Sequence, residues 1–421
     1  MPSIKKYLAG FAIIISIFIT INNCQSDVPE TSKSEVNLNH LDHLYEDVFF
    51  MGDTVGIVHI YCEYPDYKWV DDSDEGIACI DDVARGAVVY LKDYELSNSQ
   101  SSLKKAKRLL SFISKMQAEN GWYYNFVFPD LSINETHQNS VAQPGWWSWR
   151  AIWALLNGYK IFNSIDAPYA LELKNQLDST MPLIKEYLPK TELLKTVEGI
   201  QVPTWLPYES ASDQAALIVI CLTEYMQLFD DTSLIPYANK LADGIVAMQV
   251  GSETEFPHGA FLCFDNLWHG WGSSQSYSLL IAGGYLNNPK YINAALFEID
   301  NFHRYLIENK FLQEFSIEKT ESGYNTLYEK EYPQIAYQLR TMLYASTEAY
   351  KVTGDSKYLK FSEEILKWFS GKNSANTPMY DPLTGRCFDG IQNEGYVNKN
   401  SGAESTIEAL LAILQLEIAQ K

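Results

Sequence analysis

From about residue 80 to its end the chain alternates between two kinds of apolar pattern. In the first kind the apolar residues run on without a charge, as in 215–222 (AALIVICL) and 409–416 (ALLAILQL). A helix that is apolar on every side is one buried between other layers. In the second kind apolar positions recur at three and four residues and a charged face lies opposite, as in 104–115 (KKAKRLLSFISK) and 357–367 (KYLKFSEEILK). That is the period of a helix lying on a core. Helices of the first kind are predicted to start near Asp81, Trp147, Ser210, Ser273, Tyr332 and Gly402, and those of the second near Ser101, Pro168, Leu234, Tyr291 and Tyr358. The first-kind starts recur at roughly 60 to 70 residues, a spacing that marks a repeated structural unit. Turns between partners are alike: 286–290 (LNNPK), 353–357 (TGDSK) and 229–233 (FDDTS). The last first-kind helix has no successor, and the amphipathic stretch 36–50 is predicted to serve as its partner and close a ring. The expected fold is therefore all-α, an (α/α)6 toroid of six helical hairpins, with the apolar helices inside.

Connection lengths add a direction to that ring. Turns from an inner to an outer helix are short, whereas those from an outer to the next inner helix are long and aromatic, for example 120–146 and 251–272. Long loops within a compact domain are usually functional. All of them meet above the N-termini of the inner helices, so one rim is elaborated and the toroid becomes a cup.

The N-terminal residues change the picture of where the cup resides. Lys5 and Lys6 precede an uncharged, mostly apolar stretch of residues 7–21, then Asn22, Asn23 and Cys24. This is the layout of a secretory signal, shorter than the ~20 apolar residues needed to span a bilayer. Cys24 placed after such a core resembles a bacterial lipoprotein cleavage site, although Asn23 stands where a small residue is usual. The expected organisation is a signal peptide over 1–23, a polar tether over 24–35 starting at a lipidated Cys24, and the toroid over 36–421. That implies an exported lipoprotein held to a membrane by its lipid, in a periplasm or at a cell surface. A net charge of −21 argues against nucleic acid or anionic membrane surfaces as partners. The remaining cysteines, Cys62, Cys79, Cys221, Cys263 and Cys387, are scattered and form no C-x-x-C pair; they read mainly as buried free thiols, with one disulfide possible.

Two motifs carry a resemblance. The layout is similar to the six-hairpin glycosidase-like superfamily, whose members mostly hydrolyse, cleave or epimerise sugars in such a cup. Residues 76–86 (GIACIDDVARG) and 388–411 (FDGIQNEGYVNKNSGAESTIEALL) resemble a helical domain found alone or fused to bacterial glycosyltransferases, with a DDNAR motif near its start and DG and GAEST motifs near its end. Here Val83 replaces the usual Asn of the first motif. The resemblance implies the toroid fold and a carbohydrate ligand.

Hydrolysis of a glycosidic bond needs a carboxylic acid to protonate the leaving oxygen and a carboxylate to activate water or attack the sugar. Acids at the inner-helix N-termini point into a cup, so Asp82 and Glu404 form the first candidate pair, with Asp81, Glu209, Asp213 and Asp389 behind them. Each has a plainer reading. Asp81 or Asp82 could cap its helix with Arg85 pairing Asp81, and Ser401 with Glu404 has capping-box spacing. Sugars stack on aromatic faces, which makes Trp146, Trp147, Trp205, Trp268 and Trp271 candidate platforms, each equally good as core. His269, in the rim loop 258–272, is a candidate proton carrier. Arg340 within an inner helix needs a carboxylate, its own or a substrate's.

No H-E-x-x-H spacing suggests a metal, and no phosphate-cradling, dinucleotide or nucleophile-elbow motif occurs; no cofactor is expected. The expected function is a glycoside hydrolase acting on an oligosaccharide or polysaccharide outside the cytoplasm. A polysaccharide lyase, with His269 or Tyr332 as base and Arg340 neutralising a uronate, is one alternative. A non-catalytic surface glycan-binding lipoprotein is the other.

Overall fold

The computed structural model describes residues 34–421. The predicted signal peptide, Cys24 and nearly all of the polar tether lie outside the described residues. In chain order α1 (Asn39–Leu44) is followed by α2 (Ile80–Ser97) and α3 (Gln100–Lys115), α4 (Trp146–Ile165) and α5 (Ala167–Tyr187), then α6 (Ser212–Phe229) and α7 (Ile235–Ala247). Next come α8 (Gln275–Leu286) and α9 (Pro289–Glu298), α10 (Arg304–Glu308), α11 (Ala336–Thr353) and α12 (Ser356–Leu366), and last α13 (Ala403–Ala419). Helices α2, α4, α6, α8, α11 and α13 each pack on the next, and α13 returns to α2, so the inner ring is closed. Each of α3, α5, α7, α9 and α12 lies against the inner helix that precedes it. The all-apolar stretches are thus the inner ring and the amphipathic ones the outer. Among the described residues no helix is long and apolar enough to cross a membrane.

The likeness of the short turns has a physical cause. Asn98, Asp230, Asn287 and Gly354 each end an inner helix with φ between 53° and 72°, the left-handed conformation that Gly, Asn and Asp adopt most readily. The very next residue, Ser99, Asp231, Asn288 or Asp355, accepts a backbone N–H of the following helical turn with its side-chain oxygen. A stop for one helix and a start for the next are written in two adjacent residues, which is why LNNPK, FDDTS and TGDSK recur. The junction of α4 with α5 departs from this: Asp166 caps α5 through Tyr169 N at 3.3 Å, without the left-handed residue.

Two expectations are corrected. The stretch 36–50 is not one amphipathic helix: α1 covers only six residues, and Tyr45–Phe50 is a strand paired antiparallel with Asp53–Val58. The run Tyr45, Val48, Phe49 and Phe50 is rich in the β-branched and aromatic residues that favour a strand, and the turn at Met51 and Gly52 takes positive φ. Helix α1 packs on α13, and this hairpin lies against α3, so the sixth outer position is filled by a composite. The long rim connections also contain short antiparallel hairpins, including Gln249–Ser252 with Glu255–Phe261 and Glu314–Thr320 with Gly323–Lys330. Helix α11 begins at Ala336 rather than near Tyr332, beyond Pro333, which lacks the donor a helix interior needs. Cys62, Cys79, Cys221, Cys263 and Cys387 are free and buried.

The outer helix α9 runs into α10 through one π-turn, Ile299–His303, and Glu298 at its edge is a buried acid. Its carboxylate accepts Phe261 N–H at 2.9 Å and Ser276 Oγ–H at 2.6 Å, tying α9 to the rim and to α8. Burial pushes its pKa up to about 7, against the pull of those two hydrogen bonds. A raised folded-state value means that the stabilisation is complete below the unfolded value and is lost as pH rises through about 7. Buried His303, its Nε2 3.5 Å from Glu298 Oε2 and its pKa lowered to about 3 by desolvation, opposes this on the acid side but stays neutral above about pH 5, so a variant comparison above that pH reads Glu298. Raising pH from about 5 to about 8 is expected to favour Glu298→Gln over the parent by up to about 3 kcal/mol, a few degrees of melting temperature. A constant difference between the two melting curves over that range would rule this out.

Candidate active site

The floor of the cup is a charge cluster contributed by four inner helices. Arg85 on α2 reaches Asp82 Oδ1 at 2.6 Å, Glu408 Oε1 at 2.6 Å and Glu404 Oε2 at 3.2 Å. Arg340 on α11 donates through Nε to Glu408 Oε2 at 2.5 Å. Arg150 on α4 pairs with Asp81 Oδ2 at 2.6 Å and donates to Tyr337 Oη at 2.5 Å. All three guanidinium carbons lie 4.9–5.3 Å from the Tyr337 ring centroid. Glu408 is fully buried. Burial alone would raise its pKa, but Arg340 and Arg85 hold it below the usual carboxylate range.

Capping, the plainer reading of the rim acids, falls to residues from other loops. Asp81 N–H donates to Asn125 Oδ1 at 3.2 Å, so Asn125 caps α2 from the loop before α4. Arg85 Nε bonds the Asp81 backbone oxygen, not its carboxylate. At α13 the capping box is not formed: Ser401 Oγ meets Thr406 Oγ1, while Asp389 Oδ1 accepts Gly402 N–H and Ser405 Oγ–H, each at 2.8 Å. With those duties taken elsewhere, the side chains of Asp81 and Glu404 are left for the cup.

Both line one cavity of about 440 Å³, walled by Trp146, Trp147 and Trp271 with Arg150, Tyr337 and Asn125. Asp81 Oδ1 has no hydrogen-bond partner, and the Glu404 side chain is 46% exposed. Trp271 is held flat by His269, whose ring stacks on it at 4.0 Å and 9°. Trp146 lies under the Arg150 guanidinium at 5.4 Å and against Gly272. At Gly272, with φ +71°, a Cβ would meet Trp146 at 2.9 Å, so glycine sets that wall. A smaller cavity of about 170 Å³ adjoins the first, sharing Ile335, Tyr337 and Glu404 and adding Asp389 and Tyr61.

Apart from Asp389, which lines the adjoining cavity, the other predicted residues fall away from the cup. Asp82 is buried against Arg85 and Cys79, does not line the cavity, and has its pKa pushed up to about 6 by burial despite Arg85. Glu209 is 64% exposed and pairs with Lys195. Asp213 is buried, with Oδ2 3.1 Å from His269 Nε2. Asp389 is spent on capping, and burial raises its pKa. Trp205 is core and donates to Lys240 O, and Trp268 is core, packed between Phe302 and Phe315. His269 is buried, its Nδ1 on Trp271 O at 2.8 Å. Burial opposes its protonation, but Cys263 and Asp213 hold its pKa well above the ordinary range. Asp213, Cys263 and His269 are the one group among the described residues whose donor atoms cluster closely enough to hold a metal. Arg340 is paired with Glu408 and absent from the cavity wall, which takes away the uronate partner named for a lyase. Tyr332 does not line it either.

No family model matches the sequence, and no curated protein does. Solved structures do match over nearly the whole chain. A cellobiose 2-epimerase from Bacillus thermoamylovorans superposes with a TM-score of 0.62 at 13% identity, covering 90% of this chain and 95% of its own. A family 76 glycoside hydrolase from a bovine Bacteroides thetaiotaomicron strain gives 0.59 at 13%, covering 92% and 78%. A D-mannose isomerase gives 0.57 at 12%, covering 86% and 91%. The chain shares with these structures the (α/α)6 toroid fold of six helical hairpins. Within that six-hairpin fold, sequence reasoning missed Glu408, Tyr337 and Asn125. Glu408 did leave a signal, as a lone acid one turn beyond Glu404 at the head of an uncharged apolar helix. Asn125 left none, because its role depends on a loop meeting a helix start 44 residues away.

Proposed function

We propose that this protein is a carbohydrate-active enzyme, a glycoside hydrolase that cleaves a neutral oligosaccharide in the tryptophan-walled cup. The observation that carries the reading is that Asp81 and Glu404, from the first and last inner helices, line the same aromatic cavity. One of them protonates the leaving oxygen and the other acts on water or on the sugar. Support comes from the adjacency of Asp81 and Asp82: an α-1,6-mannanase from Salegentibacter, similar to this chain with a TM-score of 0.54 at 12% identity, was solved as an inactive variant with two adjacent aspartates replaced by alanine, in complex with α-1,6-mannotetraose. A neutral substrate fits a site whose three arginines are already paired with carboxylates of the protein.

Epimerases share this fold too. Moving a proton at a sugar carbon calls for a base such as imidazole, and no histidine lines the cavity among the described residues; this favours hydrolysis. The deciding experiment incubates the full chain with a panel of neutral and acidic oligosaccharides and follows reducing ends, ultraviolet absorbance and sugar identity together. New reducing ends without absorbance are expected. Absorbing unsaturated products would establish a lyase, a changed sugar without cleavage an epimerase, and binding without turnover a glycan-binding protein.

A further inference from the structure

Asp213, Cys263 and His269 meet where the first turn of α6 faces the rim loop ahead of α8, and their donor atoms lie within 4.8 Å of one another. All three residues are buried. The hydrogen bonds around them decide what each donor atom can do. His269 Nδ1 lies 2.8 Å from Trp271 O. A carbonyl oxygen only accepts, so Nδ1 carries the hydrogen, and in the neutral ring Nε2 is left with a bare lone pair. That lone pair is 3.1 Å from Asp213 Oδ2, while Asp213 Oδ1 accepts Gln214 N–H at 2.6 Å. Two acceptors so close repel unless a proton or a metal cation stands between them.

The third donor favours the metal. Cys263 Sγ accepts His269 N–H at 3.4 Å and the Gln275 amide N–H at 3.7 Å, and such donors stabilise a thiolate, the form that binds metal. Without metal the thiol donates to His269 O at 3.4 Å; its proton leaves to solvent as the metal–sulfur bond forms. Thiolate, imidazole and carboxylate together suit zinc, whereas calcium and magnesium take oxygen ligands. The two anionic ligands also leave a dication neutralised inside the protein. With zinc–ligand bonds of ~2.0–2.3 Å, tetrahedral neighbours sit roughly 3.3–3.6 Å apart. Asp213 and His269 are near that spacing already, and the sulfur has about 1 Å to move at most. We propose that Asp213 Oδ2, Cys263 Sγ and His269 Nε2 bind one zinc ion, with water in the fourth position. Trp271 O then acts as the acceptor that orients a metal-bound imidazole. Because the His269 ring stacks on Trp271 at 4.0 Å, the ion fastens α6 to the rim loop directly behind the tryptophan wall. The site stands whether or not the cup hydrolyses a sugar.

The test loads the full chain, kept reduced, with zinc alone, removes loose metal by gel filtration, and measures the metal retained. One zinc per chain is expected, with a melting temperature that falls on chelation and recovers when zinc is returned. Cobalt in its place should show a sulfur-to-metal charge-transfer band in the near ultraviolet. Cys263→Ser and His269→Gln should each lose that band or weaken zinc binding roughly a hundredfold or more, beyond the effect of an outer-shell change. Should either variant fold poorly, X-ray absorption on the zinc-loaded parent decides, with one sulfur and three nitrogen or oxygen neighbours expected. Failure to retain one zinc per chain would overturn the proposal and leave a proton shared between Asp213 and His269. A cobalt form without the sulfur band, or zinc binding unchanged in both variants, would overturn it equally.

Discussion

Asparagine at Asp81, or glutamine at Glu404, is expected to lower kcat by about 10²–10⁴, the range of a lost acid or base. KM should change little, because the tryptophan walls are untouched. Both substitutions keep shape and hydrogen-bonding capacity, so the Arg150 and Arg85 contacts persist in weakened form and helicity should hold. The informative control is Asp82→Asn. Its carboxylate faces Arg85 and the thiol of Cys79 instead of the cavity, and Arg85 keeps Glu404 and Glu408 when it is lost. Turnover per folded molecule should therefore fall far less than in the other two. The measurement is kcat and KM for all three variants on whichever oligosaccharide the panel selects. Loss of turnover in Asp82→Asn with Asp81→Asn left active would exchange the roles assigned to the two neighbours.

Why the sequence puts Asp82 first where the cavity wall has Asp81 is instructive. The ring itself was readable, since uncharged and amphipathic helices differ in their periodicity and the left-handed-plus-cap turns repeat. The cup as a location was readable too, from the long aromatic connections. Which acid enters it was not. That depends on Asn125 taking over the cap of α2, on Arg150 drawing the Asp81 carboxylate across from α4, and on Asp389 displacing a capping box at α13. Each is a contact between distant parts of the chain, invisible to local spacing. The same holds for Trp205 and Trp268, where composition offers no way to tell a platform from core.

Glu408→Ala is expected to destabilise the fold by about 3–5 kcal/mol, the cost of leaving a buried partner charge uncompensated. The reason lies in its two arginines. Glu408 is the whole of the carboxylate supply of Arg340 and one of three carboxylate partners of Arg85, and all of these groups except Glu404 are buried. Glu408→Gln keeps two acceptor lone pairs but not the charge, and should fall between the parent and the alanine variant. Combining Glu408→Ala with Arg340→Met removes one of the stranded cations and should recover part of the loss. Denaturant midpoints of the four proteins measure this directly. An alanine variant within about 1 kcal/mol of the parent would mean that water reaches the arginines and the floor is not sealed.

Glu408 joins the last helix to the first, and that makes the closure of the ring a matter of timing. Until the 17 residues of α13 are in place, Arg85 and Arg340 share a hollow that lacks their principal counter-ion, and α2 lacks one of its neighbours. The contacts that complete the floor span more than three hundred positions of sequence, so they carry the largest loop-closure entropy and form late. A growing chain could stack its hairpins one by one and still have no working cup. The cup is therefore expected to be completed last, when the last helix fills the gap between α11 and α2, and a chain cut short before α13 is left without either its closure or its Glu404.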